Sequence, residues 1–401
     1  MRRYWQPALL SAELPEKDGA PVRVRLLGED LLAFRATDGV VGLVEAFCPH
    51  RRAPLFFGRN EECGIRCVYH GWKFDVKGDC VDMPSEPEGT ALQRKVKLRA
   101  YPTAERGGVV WAYMGPPEHQ PEPPNFEWLR APATHRHVSK THEHCNYLQA
   151  LEGGLDTAHS SFAHNNRLGD TSEVRNRDRA PRIDIERTDY GYWYSSTRTV
   201  DAERVYVRVY HFLMPHGQLR GGFTKASGER AALPKLDGHI WVPIDDENTH
   251  VYNWACSYDD SAPISQEQWE AVEAYCGRGR DDLIPGSFAL KRNLANDFLI
   301  DRQVQKAKTF TGIDGLNTQD FALQEGMGPI SDRSKEFLGT SDRAIIFMRR
   351  LLLENIAAVE TGEAPLGADP ATSAGVRACD GILPADVSWK TAFAKELKAK
   401  W

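Results

Sequence analysis

Between Val22 and Tyr113 the apolar residues fall in short runs, broken by turn formers before any of them reaches helical length. Val22–Leu27, Leu31–Arg35, Val40–Val44 and Val109–Tyr113 predict strands. Asp38-Gly39, Lys77-Gly78-Asp79 and Arg106-Gly107-Gly108 predict turns. The pattern changes after the proline-dense stretch Gly115–Pro124, which predicts a domain boundary near residues 115–135. Beyond it a helix is predicted around Asn146–His159. Arg204–Tyr210 alternates strictly, with valines on one face and Arg204, Tyr206, Arg208 and Tyr210 on the other. His239–Val242 and His250–Trp254 predict a strand pair joined through Asp245–Asn248. A late helix is predicted with Ser341 as its N-cap and Ile345, Met348, Leu352 and Ile356 on its apolar face. The expected fold class is α+β: an all-β domain over residues 1–130, then an antiparallel sheet with helices over 131–401.

Composition narrows the function classes without choosing one. The chain has 401 residues, 41% hydrophobic and 26% charged, which excludes disordered, collagenous and coiled-coil proteins. Its net charge of −6 offers no basic stripe for nucleic acid. No run approaches the ~20 apolar residues of a membrane span, and Arg2-Arg3 is followed by no signal-peptide core, so a cytoplasmic location is expected. In a reducing compartment clustered cysteine and histidine favour metal or redox chemistry over disulfides. Four of the eight cysteines, Cys48, Cys63, Cys67 and Cys80, crowd one window.

That window reads Cys48-Pro49-His50-Arg51 and then Cys67-Val68-Tyr69-His70-Gly71-Trp72, two short pairs that each supply one thiolate and one imidazole. Such a set can hold tetrahedral zinc. It can also hold a two-iron, two-sulfide cluster, with both thiolates on one iron and both imidazoles on the other. Zinc fingers usually pair Cys with Cys and His with His, whereas a cluster between two loops needs one of each per loop. Cys63 and Cys80 fit no ligand spacing and read as free, buried cysteines.

A second constellation, Asp156-x2-His159-x4-His164, follows the boundary. On a continuous helix positions five apart diverge, so the histidines converge only where the helix ends or bulges. With a carboxylate they would form the 2-His-1-carboxylate set of non-haem Fe(II) oxygenases. Asp301, Asp314, Asp320 and Glu325 are candidates for that carboxylate. His135, His137, His142 and His144, at H-x-H spacing on a predicted strand, read as a packed or solvated edge.

The C-P-H-R and C-x2-H-G-W motifs followed by D-x2-H-x4-H resemble the catalytic subunit of Rieske non-haem iron ring-hydroxylating oxygenases. Arg2-Arg3-Tyr4-Trp5, Leu151-Glu152-Gly153, Gly328–Arg333 and Glu336–Gly339 resemble its phthalate 4,5-dioxygenase branch. The resemblance implies a Rieske domain joined to a helix-grip-type catalytic domain. It implies a [2Fe-2S] cluster on Cys48, His50, Cys67 and His70, and mononuclear Fe(II) on His159, His164 and Asp320. Asp320 comes from the segment Gln319-Asp320-Phe321-Ala322-Leu323-Gln324-Glu325, which resembles the family's Q-D-x3-Q-E. Asp156 resembles the bridging aspartate of inter-subunit electron transfer, and implies a head-to-tail homotrimer or a dimer of trimers. Two departures stand out: a short stretch before Arg2 is missing relative to the family, and Arg52 stands where many members have Gly.

The chain carries no G-x-G-x-x-G fingerprint, so a separate NADH-dependent flavin and iron–sulfur reductase is the expected partner. The activity implied is dihydroxylation of an aromatic ring with O2, on an aromatic carboxylate in this branch. Monooxygenation, including O- or N-demethylation, is the alternative on the same scaffold. An electron carrier or zinc protein would leave D-x2-H-x4-H unexplained. Arg208 or Arg204 could meet a substrate carboxylate, while a solvated or interface position for them is the competing expectation. Ala53 and Tyr69 stand where respiratory Rieske domains carry a loop disulfide, and Trp72 stands where they carry a serine that bonds a cluster sulfur. Fewer donors to the sulfurs predict a potential near the low end of the Rieske range, around −150 mV.

Overall fold

In the computed structural model, which describes residues 1–88, 90–229 and 236–401, the chain divides into Met1–Pro124 and Asn125–Trp401. The first unit is built from three small antiparallel sheets. Trp5–Leu10 pairs with Val109–Tyr113 and that strand with Thr103–Arg106; Val22–Leu26, Glu29–Arg35 and Val41–Glu45 form the second sheet. The third runs Arg59–Glu61, Gly64–Arg66, Lys73–Asp75 and Cys80–Asp82. Leu32, Phe34, Val44, Leu55, Ile65 and Phe74 fill the core, and Cys48, Cys67 and Cys80 are packed into it. Cys63 departs from expectation and is exposed. With Glu62 it forms the two-residue hairpin loop before Gly64, where both residues take positive φ (48° and 59°), as a tight hairpin turn requires.

The second unit carries an antiparallel sheet in the order Arg136–Glu143, Thr249–Cys256, Leu236–Pro243, Gly217–Gly221, Arg204–Leu213, Gly191–Thr199 and Arg182–Arg187. Asp380–Pro384 pairs with the first half of Arg204–Leu213. The valine face of that strand packs on Cys379 and Phe393, which leaves the opposite face to look across the sheet. The predicted late helix runs Arg343–Glu360 and is entered from Asp342 rather than Ser341. Ala344, Ile345, Met348 and Leu351 are buried while Ile356 is exposed, because the helix lies on the sheet through its first half only. Among the described residues no helix is long and apolar enough to cross a membrane.

The nine-residue helix Tyr147–Leu155 fixes the functional half of this unit. Asn146 caps it by accepting the Leu148 N–H at 3.0 Å, and the helix lies between the sheet and the helix Leu316–Gly326. Two adjacent glycines permit that fit. A Cβ on Gly153 would fall 1.9 Å from Gln324, and one on Gly154 would fall 2.1 Å from the Trp241 ring.

Gly154→Ala is therefore expected to cost about 1–3 kcal/mol through overpacking and to lower the calorimetric melting temperature. Gly326→Ala, with open space around its Cβ, should leave that temperature unchanged or raised. Equal behaviour of the two variants would contradict the packing account.

Candidate metal centres and the adjoining pocket

The two cysteine loops of the first unit make the same turn twice. Cys48 N–H donates to Ala53 O and Arg52 N–H to Cys48 O; Cys67 N–H donates to Trp72 O and Gly71 N–H to Cys67 O. The residue four places after each cysteine takes a left-handed conformation, with φ of 60° at Arg52 and 79° at Gly71. Glycine does this freely. At Arg52 it costs roughly 1–2 kcal/mol; the side chain there pairs with Glu45 and its guanidinium lies 5.0 Å over Phe47. Both sulfurs are buried, and burial with Cys67 close by pushes the Cys48 thiol up to about 11.

A thiolate at that place needs a cation. The His50 and His70 rings meet edge to face 4.4 Å apart, and His50 Nδ1 is buried with no hydrogen-bond partner among the described residues. Paired buried sulfurs beside paired imidazoles fit a cluster whose two irons take different ligands. Trp72 stacks on His50 at 4.3 Å and donates its indole N–H to Ser85, so it offers nothing to a cluster sulfur.

In the second unit the helix Tyr147–Leu155 ends before either histidine, and this brings them together. Asp156 caps the next turn, accepting Ala158 N–H at 2.7 Å and His159 N–H at 3.0 Å. The one-turn helix His159–Ser161 then carries the chain round to His164. His159 Nε2, His164 Nε2 and Asp320 Oδ1 form a triangle with edges of 3.1, 3.3 and 3.5 Å. Its corners lie about 1.9 Å from its centre, a spacing that would suit an ion at ordinary bond lengths of ~2.0–2.2 Å. No other His, Cys, Asp or Glu triad of this kind occurs among the described residues.

The competing carboxylates are engaged elsewhere. Asp301 caps the helix Arg302–Ala307, Asp314 pairs with Arg292, and buried Glu325 accepts the His144 N–H.

The imidazoles are aimed by groups behind them. His164 Nδ1 donates to Gln319 Oε1 at 2.9 Å, and the Gln319 amide is fixed because its Nε2 donates to Asn166 and Ile313. His159 Nδ1 lies 3.3 Å from Asp156 Oδ2. The His164 Nε2 lone pair therefore faces the triangle, and the Asp156 carboxylate beside His159 Nδ1 favours the same tautomer there. Burial pushes His164 down to about 4, leaving it neutral and ready to ligate. Burial alone would raise the Asp156 carboxyl, but His159 and the backbone N–H groups outweigh it and hold it below its ordinary value. Sequence reasoning missed Gln319, although it directly precedes Asp320. It also missed Arg198, whose guanidinium donates to Thr157 O, Ser161 Oγ and Asp178 O and so braces the histidine turn from the sheet.

The triangle opens on a pocket of about 380 Å³ walled by Trp241, Trp254, Val251, Tyr206 and Tyr210, within the ~300–1,000 Å³ usual for small-ligand sites. Among the described residues five arginines line it: Arg175, Arg198, Arg208, Arg220 and Arg278. Three are neutralised, by Glu173, Asp237 and Glu273 respectively for Arg175, Arg220 and Arg278. Arg198 spends its donors on the histidine turn. Arg208 gives Nε and Nη2 to Gly221 O and lies 5.2 Å from the Tyr210 ring; Asp237 and Asp380 lie near enough to favour its charge, but among the described residues none is in ion-pair contact with it and its Nη1 is unengaged. Arg208 is thus a pocket residue, correcting the solvated or interface expectation, whereas Arg204 is exposed and paired with Asp201.

Comparison with known proteins agrees with both centres. The Rieske [2Fe-2S] domain model matches residues 4–102 and the "LigXa C-terminal domain like" model residues 112–400. The phthalate 4,5-dioxygenase oxygenase subunit of Pseudomonas putida is 40% identical over 97% of this chain and 89% of its own length. The 3-chlorobenzoate-3,4-dioxygenase oxygenase subunit of Comamonas testosteroni is 36% identical over 99% of this chain and 94% of its own. Among solved structures, dicamba monooxygenase bound to dicamba superposes with a TM-score of 0.64 at 19% identity, covering 90% of this chain and 99% of that one.

Asp320→Ala is expected to abolish mononuclear iron binding while the visible spectrum of the cluster is retained; iron content equal to wild type would reject the assignment of this carboxylate. A redox titration should place the cluster near the low end of the Rieske range, around −150 mV. A strongly positive midpoint would contradict the reading of Trp72.

Proposed function

The chain belongs to the Rieske non-haem iron oxygenases, and we propose that it is a terminal oxygenase that dihydroxylates the ring of an aromatic carboxylate. Cys48, His50, Cys67 and His70 hold the [2Fe-2S] cluster, and His159, His164 and Asp320 hold the mononuclear iron. When bound, these groups supply single-electron storage and a ferrous ion with open positions for O2. Electrons come from a separate NADH-dependent reductase. Both atoms of O2, with two electrons and two protons, enter the ring as a cis-dihydrodiol.

The protein's own part is positioning and electrostatics. Arg208 is the observation that carries the substrate class: a guanidinium with no ion-pair contact among the described residues, on the aromatic wall of the pocket onto which the triad opens. A carboxylate there gains a charge-assisted contact while its ring lies among Trp241, Trp254 and Tyr210. The names of the two relatives, a phthalate and a 3-chlorobenzoate dioxygenase, point to the same class. Gln319 and Asp156 hold the two imidazoles at fixed angles as substrate enters. Asp156 also serves as the bridge for inter-subunit electron transfer, receiving a hydrogen bond from His70 of the partner subunit in a head-to-tail trimer.

The test is reconstitution with a phthalate-type reductase and a screen of aromatic acids for substrate-dependent O2 uptake, with products identified by mass and stereochemistry. A cis-dihydrodiol is expected, and a phenol or a demethylated acid would replace dioxygenation by monooxygenation. Arg208→Gln should raise KM for the acid roughly 10- to 100-fold, the equivalent of ~1.5–3 kcal/mol for a hydrogen bond to a charged group, with kcat little changed. An equal rise for a neutral aromatic of the same shape would overturn the carboxylate role.

A further inference from the structure

The four H-x-H histidines part company in the fold. His135 and His137 are spent on structure: His135 bonds Thr134 and Asp260 O, while His137 bonds Ile264 O and stacks on Trp269. His142 and His144 instead converge on one oxygen. His142 lies near the end of the strand Arg136–Glu143 and His144 just past it, with ring centroids 4.2 Å apart. Asn248, in the turn between Leu236–Pro243 and Thr249–Cys256, places Oδ1 3.1 Å from His142 Nε2 and 3.3 Å from His144 Nδ1. The amide has one orientation, because its Nδ2 donates at 2.9 Å to Asp245, a carboxylate that only accepts. The turn is itself anchored by Asn146 Nδ2, which donates to Asp246 O at 2.7 Å.

We propose that His142 Nε2, His144 Nδ1 and Asn248 Oδ1 form a second metal site, for a divalent transition cation of the zinc class, separate from the iron triad. The two distances from Asn248 Oδ1 fall within the 3.1 to 3.5 Å range of the edges of the His159–His164–Asp320 triangle. Imidazole nitrogen with an oxygen donor suits zinc and copper over magnesium or calcium. Without a cation, the Asn248 carbonyl oxygen accepts from both ring N–H groups, one on each lone pair. With one, each neutral imidazole carries its proton on the other ring nitrogen, and no proton is released. Burial, with His144 nearby, lowers the basicity of His142 and keeps it neutral. His144 is exposed, which gives the ion a way in and leaves remaining positions to water. Asp245 behind the Asn248 amide strengthens its oxygen as a ligand. The ion would staple the end of one strand to the turn between two others, at the entry to the helix Tyr147–Leu155.

The test titrates zinc chloride alone into the iron-loaded holoenzyme, followed by calorimetry and by metal analysis after desalting. Wild type is expected to take up one equivalent of zinc with its iron retained. His144→Ala should lose that equivalent while keeping iron content, cluster spectrum and turnover, and His142→Gln should lose it too. Zinc uptake by His144→Ala equal to wild type would overturn the proposal. So would uptake by wild type only at the expense of an equal amount of iron, or no uptake at all.

Discussion

Close approach of the helix Tyr147–Leu155 to its two neighbours is the constraint on which the catalytic unit depends. Gly154 removes the Cβ that would hold the helix away from the Trp241 ring, and Gly153 leaves the space that the Gln324 side-chain amide occupies. Because the helix is seated this deeply, its C-terminal end delivers Asp156, the turn His159–Ser161 and His164 to the level of Asp320 on Leu316–Gly326. A helix seated further out would part the ligands from their carboxylate. The same contact places Trp241 in the wall of the pocket.

Both centres follow one electrostatic rule. Donor atoms are gathered where a cation completes them: two buried sulfurs and an unpartnered imidazole nitrogen in the first unit, buried His164 with the part-buried His159 and Asp320 in the second. Buried polar groups without partners are costly, and a bound cation is the partner that removes the cost. Around the second centre three arginines pair with acids, Arg198 binds carbonyl and hydroxyl oxygens, and Arg208 is in no ion-pair contact among the described residues.

Legibility from sequence followed contact distance along the chain. The C-x-H and C-x2-H pairs are local loops, and their spacing alone named the ligand set, while the choice of a cluster over zinc came from the family resemblance. The D-x2-H-x4-H segment was legible down to the requirement that its helix stop early, which the extended backbone at Asp156 meets. Asp320 lies more than 150 residues from His164 and could be chosen over Asp301, Asp314 and Glu325 only through a family resemblance; the fold chooses it by contact. Alternation identified the two faces of Arg204–Leu213, but which face met the pocket was decided by the C-terminal residues Cys379 and Phe393 covering the valines. The purpose of Gly153-Gly154 and the aim of Gln319 had no local signature, since each is defined by a partner elsewhere in the fold.

The central claim is that one pocket holds a ferrous ion on three named side chains and an aromatic acid on a fourth. The most direct measurement is iron-edge anomalous diffraction from crystals loaded anaerobically with Fe(II) and phthalate. The account predicts an iron peak bonded to His159 Nε2, His164 Nε2 and Asp320, with a carboxylate against Arg208 and the ring beside the open side of the metal. An iron peak on other ligands, or phthalate bound with its carboxylates turned away from Arg208, would contradict it.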